Sequence, residues 1–389
     1  MNLRLIVGLV LVALVATDSA FAGDITTESL IREAGYPFEE HTVETQDGYL
    51  LKLHRIPNNS QQKRGIALLM HGLSCSSADW VVLKQGKALA YDLADEGYDV
   101  WMGNFRGNLY SRNHRELNPD ALLNSNFWDF TWHEMGTMDL PAMIDYIRGK
   151  TGEDKMHYFG HSQGTTTFFV MSSLNETYQS YIKSAHMITP LVYVEQLDSI
   201  FLEVANKVIS LINPLATLAA GNTEFRPNGT ITELAGAALC RDRPRELCSN
   251  ILFLLTGFNE ITVDPAILND VLAITPAGAS TKCFLHYFQV HDSNQFQQYD
   301  YGLLGNLRRY RNSKPPTYPL ENVNVPVFLY WGEEDRLIHK PDIERLAAKL
   351  PNVKRVFGIK NGTHQYPMYS PFIKEQLYDL VVADVKSIE

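Results

Sequence analysis

A short apolar run, Met156–Phe159, leads into the turn Gly160-His161-Ser162-Gln163-Gly164, and a helix-capable stretch, Thr165–Ser173, follows at once. A strand that passes into a helix through a serine between two glycines leaves few architectures open. The turn must be tight, and side chains at the glycine positions would collide with the neighbouring strand and helix. Strain in such a turn pushes the serine hydroxyl outward. A surface serine in a glycine-rich turn has the same letters, so the rest of the chain must supply the frame.

It does so by alternation. Gly65–Met70, Tyr98–Met102, Val325–Trp331 and Val353–Ile359 are short apolar runs, each ending in a turn that contains glycine or histidine. Between them lie segments with helical spacing. Lys87–Glu96 is one, and Pro341–Leu350 is another, with Pro341 near its first turn. Glu134–Arg148 is a third, with Met135, Met138, Leu140, Met143, Ile144 and Ile147 as its expected buried stripe. Strands alternating with helices predict an α/β fold with a mainly parallel sheet covered on both faces. Such sheets place their sites beyond the carboxyl ends of the strands.

From about Leu191 to Tyr310 the alternation lapses. Ser199–Ile212 and Pro265–Ile274 have helical patterns, and few strands are evident before Lys314-Pro315-Pro316. The expected organisation is a first core part at 23–190, a mostly helical cap inserted at 191–312, and a second core part at 313–389.

Residues 1–22 carry an early arginine, an apolar run at Leu5–Ala16 and a small-residue site at Ala20-Phe21-Ala22. This is the layout of a secretory signal peptide. The run is short for a spanning helix of about 20 residues, so a transmembrane anchor is the weaker reading. In a secreted chain, the sequons at Asn58, Asn175, Asn228 and Asn361 are glycosylation candidates on surface loops. Cys240 and Cys248 flank a charged segment, and an oxidising compartment favours a local disulfide over two free thiols. Cys75 and Cys283 stay unassigned, and no cysteine spacing suggests a metal site. The net charge of −10, with no dense basic run, argues against a nucleic-acid partner.

A serine hydroxyl is a poor nucleophile until a base takes its proton and an acid orients that base. When a strand–serine–helix turn carries the nucleophile, the acid and then the histidine follow it in the chain. Gly332-Glu333-Glu334-Asp335 follows the run ending at Trp331, and Asp335 is the expected acid; Glu333, Glu334 and Asp342 remain competitors. Gly362-Thr363-His364 follows the last apolar run, so His364 is the expected base. A developing oxyanion needs backbone N–H donors already in place. Gln163 supplies one, and Leu73 of His71-Gly72-Leu73 the other.

With these motifs in view, the chain resembles the animal acid lipase family, which includes gastric and lysosomal acid lipases. The likeness rests on Gly35-Tyr36-Pro37, Thr45-Gln46-Asp47-Gly48-Tyr49-Leu50, His71-Gly72-Leu73 and Gly103-Asn104-Phe105-Arg106-Gly107-Asn108. Phe127-Trp128, Asp139-Leu140-Pro141-Ala142 and Gly160–Thr166 extend it over nearly all of the mature chain. The resemblance implies an α/β-hydrolase fold, a cap over an acyl-binding cleft, and hydrolysis of triacylglycerols or sterol esters at a lipid–water interface without metal or organic cofactor. It also implies the Cys240–Cys248 pairing, and secretion or, alternatively, delivery to a lysosome. The chain departs from mammalian members at Tyr366, where they carry aspartate, and at Thr256, where some carry a third cap cysteine. Two other functions compete: an esterase for small soluble esters, and a secreted lipid carrier without catalysis.

Overall fold

The computed structural model describes residues 25–58, 63–121, 126–195, 222–225, 256–257, 259 and 261–388. The leader at 1–22, the helical pattern at 199–212, Asn228, Cys240 and Cys248 lie outside the described residues.

The strands are β1 (Glu39–Glu44), β2 (Tyr49–Ile56), β3 (Ile66–Met70), β4 (Asp99–Gly103), β5 (Asn113–His114), β6 (Met156–His161), β7 (Ile182–Ile188), β8 (Glu224–Phe225), β9 (Ala279–Ser280), β10 (Val327–Gly332) and β11 (Val353–Ile359). The main sheet runs β1-β2-β4-β3-β6-β7-β10-β11, with β5 paired to β2; β8 and β9 form a separate ladder. From β4 to β11 every neighbouring pair is parallel, while β1, β2 and β4 pair antiparallel. The mainly parallel sheet expected from the alternation is present.

β3 shows why these runs become central strands. All five of its residues are buried. Leu68 and Met70 join one core with Trp101 and Met156, while Ala67 and Leu69 join the opposite core with Val100 and Phe159. A strand covered on both faces has no polar side, so it reads as an unbroken apolar run. β1 is the contrast: in Glu39–Glu44 only Val43 is buried, as suits an edge.

Helices cover the faces: α1 (Thr27–Glu33), α2 (Leu89–Asp95), α3 (Leu140–Thr151), α4 (Gln163–Leu174), α5 (Thr281–Ser293), α6 (Gly302–Tyr310), α7 (Lys340–Lys349) and α8 (Asp379–Lys386). The expected helix at Glu134–Arg148 is not one regular helix. A π-turn at Met135–Asp139 precedes α3. A π-turn holds one residue more than an α-turn and rotates what precedes it. Met138 is therefore only half-buried, against expectation, and Asp139 takes the interior place. Asp139 Oδ1 receives the Arg106 Nε–H at 2.7 Å, which makes a buried carboxylate tolerable there.

The topology also places the site. The chain leaves β3 for β4 on one side, then returns to the other side of β3 for β6. Where direction reverses, a crevice opens outside the carboxyl ends of the strands. His71-Gly72-Leu73 follows β3, and Ser162 follows β6, so both border that crevice.

Candidate active site

Ser162 sits between β6 and α4 with φ 50° and ψ −115°, a conformation disfavoured for any side chain bearing a Cβ. The flanking glycines make the turn feasible. A Cβ on Gly160 would meet the Gly164 carbonyl carbon at 2.8 Å, and one on Gly164 would strike the Met70 carbonyl oxygen. The backbone is held by the Ser162 N–H donating to the Ile188 carbonyl at 3.0 Å and the Thr165 N–H donating to the Ser162 carbonyl at 2.8 Å.

Three strand ends converge here. His364 Nε2 lies 2.8 Å from Ser162 Oγ, and His364 Nδ1 lies 2.7 Å from Asp335 Oδ2. All three side chains are buried. Asp335 Oδ1 already accepts the N–H groups of Leu337 at 2.8 Å and Ile338 at 3.2 Å, which fixes the carboxylate. A carboxylate acceptor assigns the proton to His364 Nδ1 and leaves the Nε2 lone pair facing the serine hydroxyl. The competing carboxylates are engaged elsewhere. Glu334 accepts from Asn259 Nδ2 at 3.0 Å, and Glu333 lies against Gly358. Asp342 caps α7 through the His339 N–H at 3.1 Å.

Two neutral histidines brace this arrangement, and neither role was legible in the sequence. His161 Nε2 lies 3.2 Å from the His364 carbonyl, so it carries the proton and donates. Burial, with His364 beside it, pushes the His161 imidazolium down to about 3. His71 Nε2 accepts from the Phe105 N–H at 3.1 Å and from Asn108 Nδ2 at 3.1 Å. Its Nδ1–H therefore donates to the Gly72 carbonyl at 2.7 Å. Burial lowers the His71 pKa to about 4, which keeps that tautomer neutral. A trans peptide turns its N–H opposite to its carbonyl. Pinning the Gly72 carbonyl thus directs the Leu73 N–H the other way. Among the described residues, no hydrogen bond uses the N–H of Leu73 or of Gln163.

Ser162 and His364 open onto a cleft of about 650 Å³ of non-protein space. Its walls are largely apolar: Leu73, Leu191, Val194, Phe284, Phe288 and Leu337, with Tyr287. Gln365 Oε1 is buried beside it without a partner among the described residues. Cys75 also lines the cleft and is a free thiol, as is the buried Cys283. Below the Leu73 loop, Asp79 accepts the Ser76 N–H at 2.8 Å and the Tyr369 hydroxyl, and burial pushes its carboxyl up to about 6. Among the described residues, no group of three or more His, Cys, Asp or Glu side chains could hold a metal ion.

A family model for the alpha/beta hydrolase fold matches residues 68–367, and one for a partial alpha/beta-hydrolase lipase region matches residues 27–84. Lipase 3 of Drosophila melanogaster is 36% identical over 367 residues, covering 92% of this chain and 92% of its own. Gastric triacylglycerol lipase of Mus musculus is 38% identical over 338 residues, covering 85% of this chain and 84% of its own. The chain belongs to the animal lipase family. Membership makes it a carboxylic-ester hydrolase of the lipase type. A solved monoglyceride lipase from Saccharomyces cerevisiae shares the fold at 15% identity, with a TM-score of 0.52 over 91% of this chain and 98% of its own.

The sequons of this lipase differ in setting. Asn361 and Asn175 are exposed, and Asn175 Oδ1 caps a short helical turn through the Thr177 N–H at 3.1 Å. Asn58 is half-buried, and its side-chain amide donates to the Gly97 carbonyl. Among the described residues, no helix is long and apolar enough to cross a membrane.

Proposed function

We propose that this lipase hydrolyses long-chain lipid esters, triacylglycerols or sterol esters, through an acyl-enzyme on Ser162. His364 Nε2 takes the Ser162 proton as Oγ attacks the ester carbonyl carbon, and Asp335 holds the resulting imidazolium. The carbonyl oxygen becomes an oxyanion that the Leu73 and Gln163 N–H groups receive. The start of α4 adds a positive helix end at the same place. The tetrahedral species collapses by breaking the bond to the leaving alkoxy oxygen, which takes the proton from His364 and departs as the alcohol. Water, deprotonated by His364, then attacks the acyl carbon and releases the fatty acid and Ser162. No cofactor enters these steps.

One observation carries the reading: the Ser162–His364–Asp335 hydrogen-bonded chain opens onto a cleft with largely apolar walls. The apolar walls favour a long acyl chain, at about 0.8 kcal/mol for each methylene buried. Segment 191–312, which contributes Leu191, Val194, Phe284 and Phe288 to those walls, is proposed as the cap. The relatives named for gastric triacylglycerol hydrolysis support the substrate class. Secretion, directed by residues 1–22, is part of the same proposal.

The test is hydrolysis of matched short- and long-chain triacylglycerols and cholesteryl esters by the parent chain and by Ser162→Ala. Turnover of long-chain esters by the parent and not by the variant is expected. Turnover confined to short soluble esters would replace the lipase reading with a soluble esterase. A folded parent that binds lipid without hydrolysing any ester would make the chain a carrier.

A further inference from the structure

Large apolar side chains exposed singly are ordinary on a protein surface; three together on one helix are not. Leu303, Leu304 and Leu307 of α6 are 62%, 80% and 47% exposed. At 100° per residue their spacing confines them to an arc of about 100°, and Arg308 extends the same face by about 40°; Arg311 follows as the left-handed residue that ends the helix. The helix is fastened down along the flank of that arc next to Leu303. Asn306 is buried, its Oδ1 accepts the Tyr301 N–H at 2.9 Å, and its Nδ2 donates to Asp300 Oδ1 at 2.8 Å and the Ser313 carbonyl at 3.1 Å. The Tyr310 hydroxyl donates to the Tyr299 carbonyl at 2.8 Å. The leucines are therefore displayed by an anchored helix.

The charge around them runs against that of the whole molecule. Residues 301–320 hold Arg308, Arg309, Arg311 and Lys314 and no acidic side chain, in a chain of net charge −10. Arg309 reaches Glu134 at 3.4 Å. Arg308, Arg311 and Lys314 are exposed and make no ion pair among the described residues. A basic, leucine-bearing face on a negatively charged body orients that face toward an anionic surface. A second copy of the chain suits the patch poorly, because a two-fold contact would bring the same cations face to face.

The patch is also rigidly tied to the cleft. α5 contributes Phe284, Tyr287 and Phe288 to the cleft wall. Gln289 of α5 grips the turn before α6, donating to the Asp300 carbonyl at 2.9 Å and accepting the Asp300 N–H at 2.7 Å. Lys282 Nζ lies 4.9 Å and 5.0 Å from the ring centres of Tyr299 and Tyr301.

We propose that the Leu303–Leu304–Leu307 face of α6 docks this lipase on an anionic lipid–water interface. The three leucines enter the boundary between headgroups and acyl chains, and Arg308, Arg311 and Lys314 meet the headgroup anions. The proposal rests on the hydrolase reading only for the reason a lipid surface matters, and docking can be measured without catalysis.

The experiment uses the full chain carrying Ser162→Ala and sedimentation with phosphatidylcholine vesicles, pure or with about 30 mol% phosphatidylglycerol. Binding is expected to the anionic vesicles and to weaken with salt. Leu303→Ser/Leu304→Ser/Leu307→Ser should weaken it at least about tenfold. Arg308→Gln/Arg311→Gln should weaken it about 25-fold, at about fivefold per cation, and flatten the salt dependence. The same substitutions on the Ser162 background should leave turnover of a soluble short-chain ester unchanged, which shows that they fold. Equal vesicle binding by the leucine variant and its parent overturns the proposal, as does a parent dimer that the leucine substitutions dissociate. Loss of soluble-ester turnover in the parent, with the vesicle pattern intact, would overturn the hydrolase reading and leave the docking surface standing.

Discussion

Arg106 and Ser162 both sit in buried polar clusters on the same sheet, but the two clusters are completed differently. All three guanidinium nitrogens of Arg106 are bonded to carboxylates: Nε to Asp139, and the terminal nitrogens to Asp47 at 2.6 and 3.0 Å and to Asp139 at 2.6 Å. The ring of Tyr49 covers its face at 4.0 Å. Around Ser162 the order is left unfinished on one side. The Leu73 and Gln163 N–H groups and Gln365 Oε1 lack partners among the described residues, and Leu73 and Gln365 line the cleft. A buried polar group without a partner is costly, so folded chains rarely keep several together. The saturated cluster holds loops in place; the unsaturated one leaves donors open, as the proposed acyl-enzyme chemistry requires.

The comparison can be broken from either side. The largest expected effect is on chemistry: Ser162→Ala should lower kcat by about 10⁴–10⁶-fold with little change in melting temperature. A comparable loss of stability would mean that the serine is structural. Next comes Arg106→Met, which leaves Asp47 and the buried Asp139 without their cation. It should cost about 3–5 kcal/mol of stability, read from denaturant midpoints, while the folded fraction keeps its kcat. A kcat loss without destabilisation would move Arg106 into the chemistry.

A third effect falls between the two clusters. His71→Leu removes the imidazole that pins the Gly72 carbonyl, and kcat on a soluble ester should fall about 10–10²-fold at nearly constant KM. A change in KM alone would assign His71 to substrate binding instead.

The smallest effect concerns pH. The Asp79 carboxyl is raised by burial from 3.8 to about 6 in the folded chain. Its contribution to stability is full below the unfolded value and is lost as pH rises through about 6. Acidifying from neutrality should therefore stabilise the parent relative to Asp79→Asn by about 1–2 kcal/mol, measured by urea unfolding at each pH. A difference that grows with rising pH would reverse the assignment.

What was readable beforehand follows the same division. β3, β4, β6 and β10 were legible because burial on both faces writes an apolar run. β11, a largely exposed edge strand, was legible only through Val353, Val356, Phe357 and Ile359 ahead of a glycine turn. Ser162, Asp335 and His364 stood out because each follows one of these strands, and the structure brings the three side chains within hydrogen-bond reach. β1 escaped notice: Val43 is its one apolar residue, which leaves no such signature. The π-turn escaped because helical periodicity assumes a regular helix; the aspartate at Asp139, inside an otherwise apolar stripe, was the available signal. The pairing of His71 with Phe105 and Asn108 joins residues 34 and 37 positions apart across neighbouring strand ends, so no local pattern announces it. α6 was missed as a helix, yet its exposed leucines beside arginines stand in plain sequence order.

The most direct test of the account is covalent. A fluorophosphonate that mimics the tetrahedral species should add once per chain, and peptide mapping should locate the adduct on Ser162. Ser162→Ala should abolish labelling and His364→Ala should slow it. An adduct on another residue, or no adduct on a folded chain that still hydrolyses esters, would contradict the central claim that Ser162 is the nucleophile.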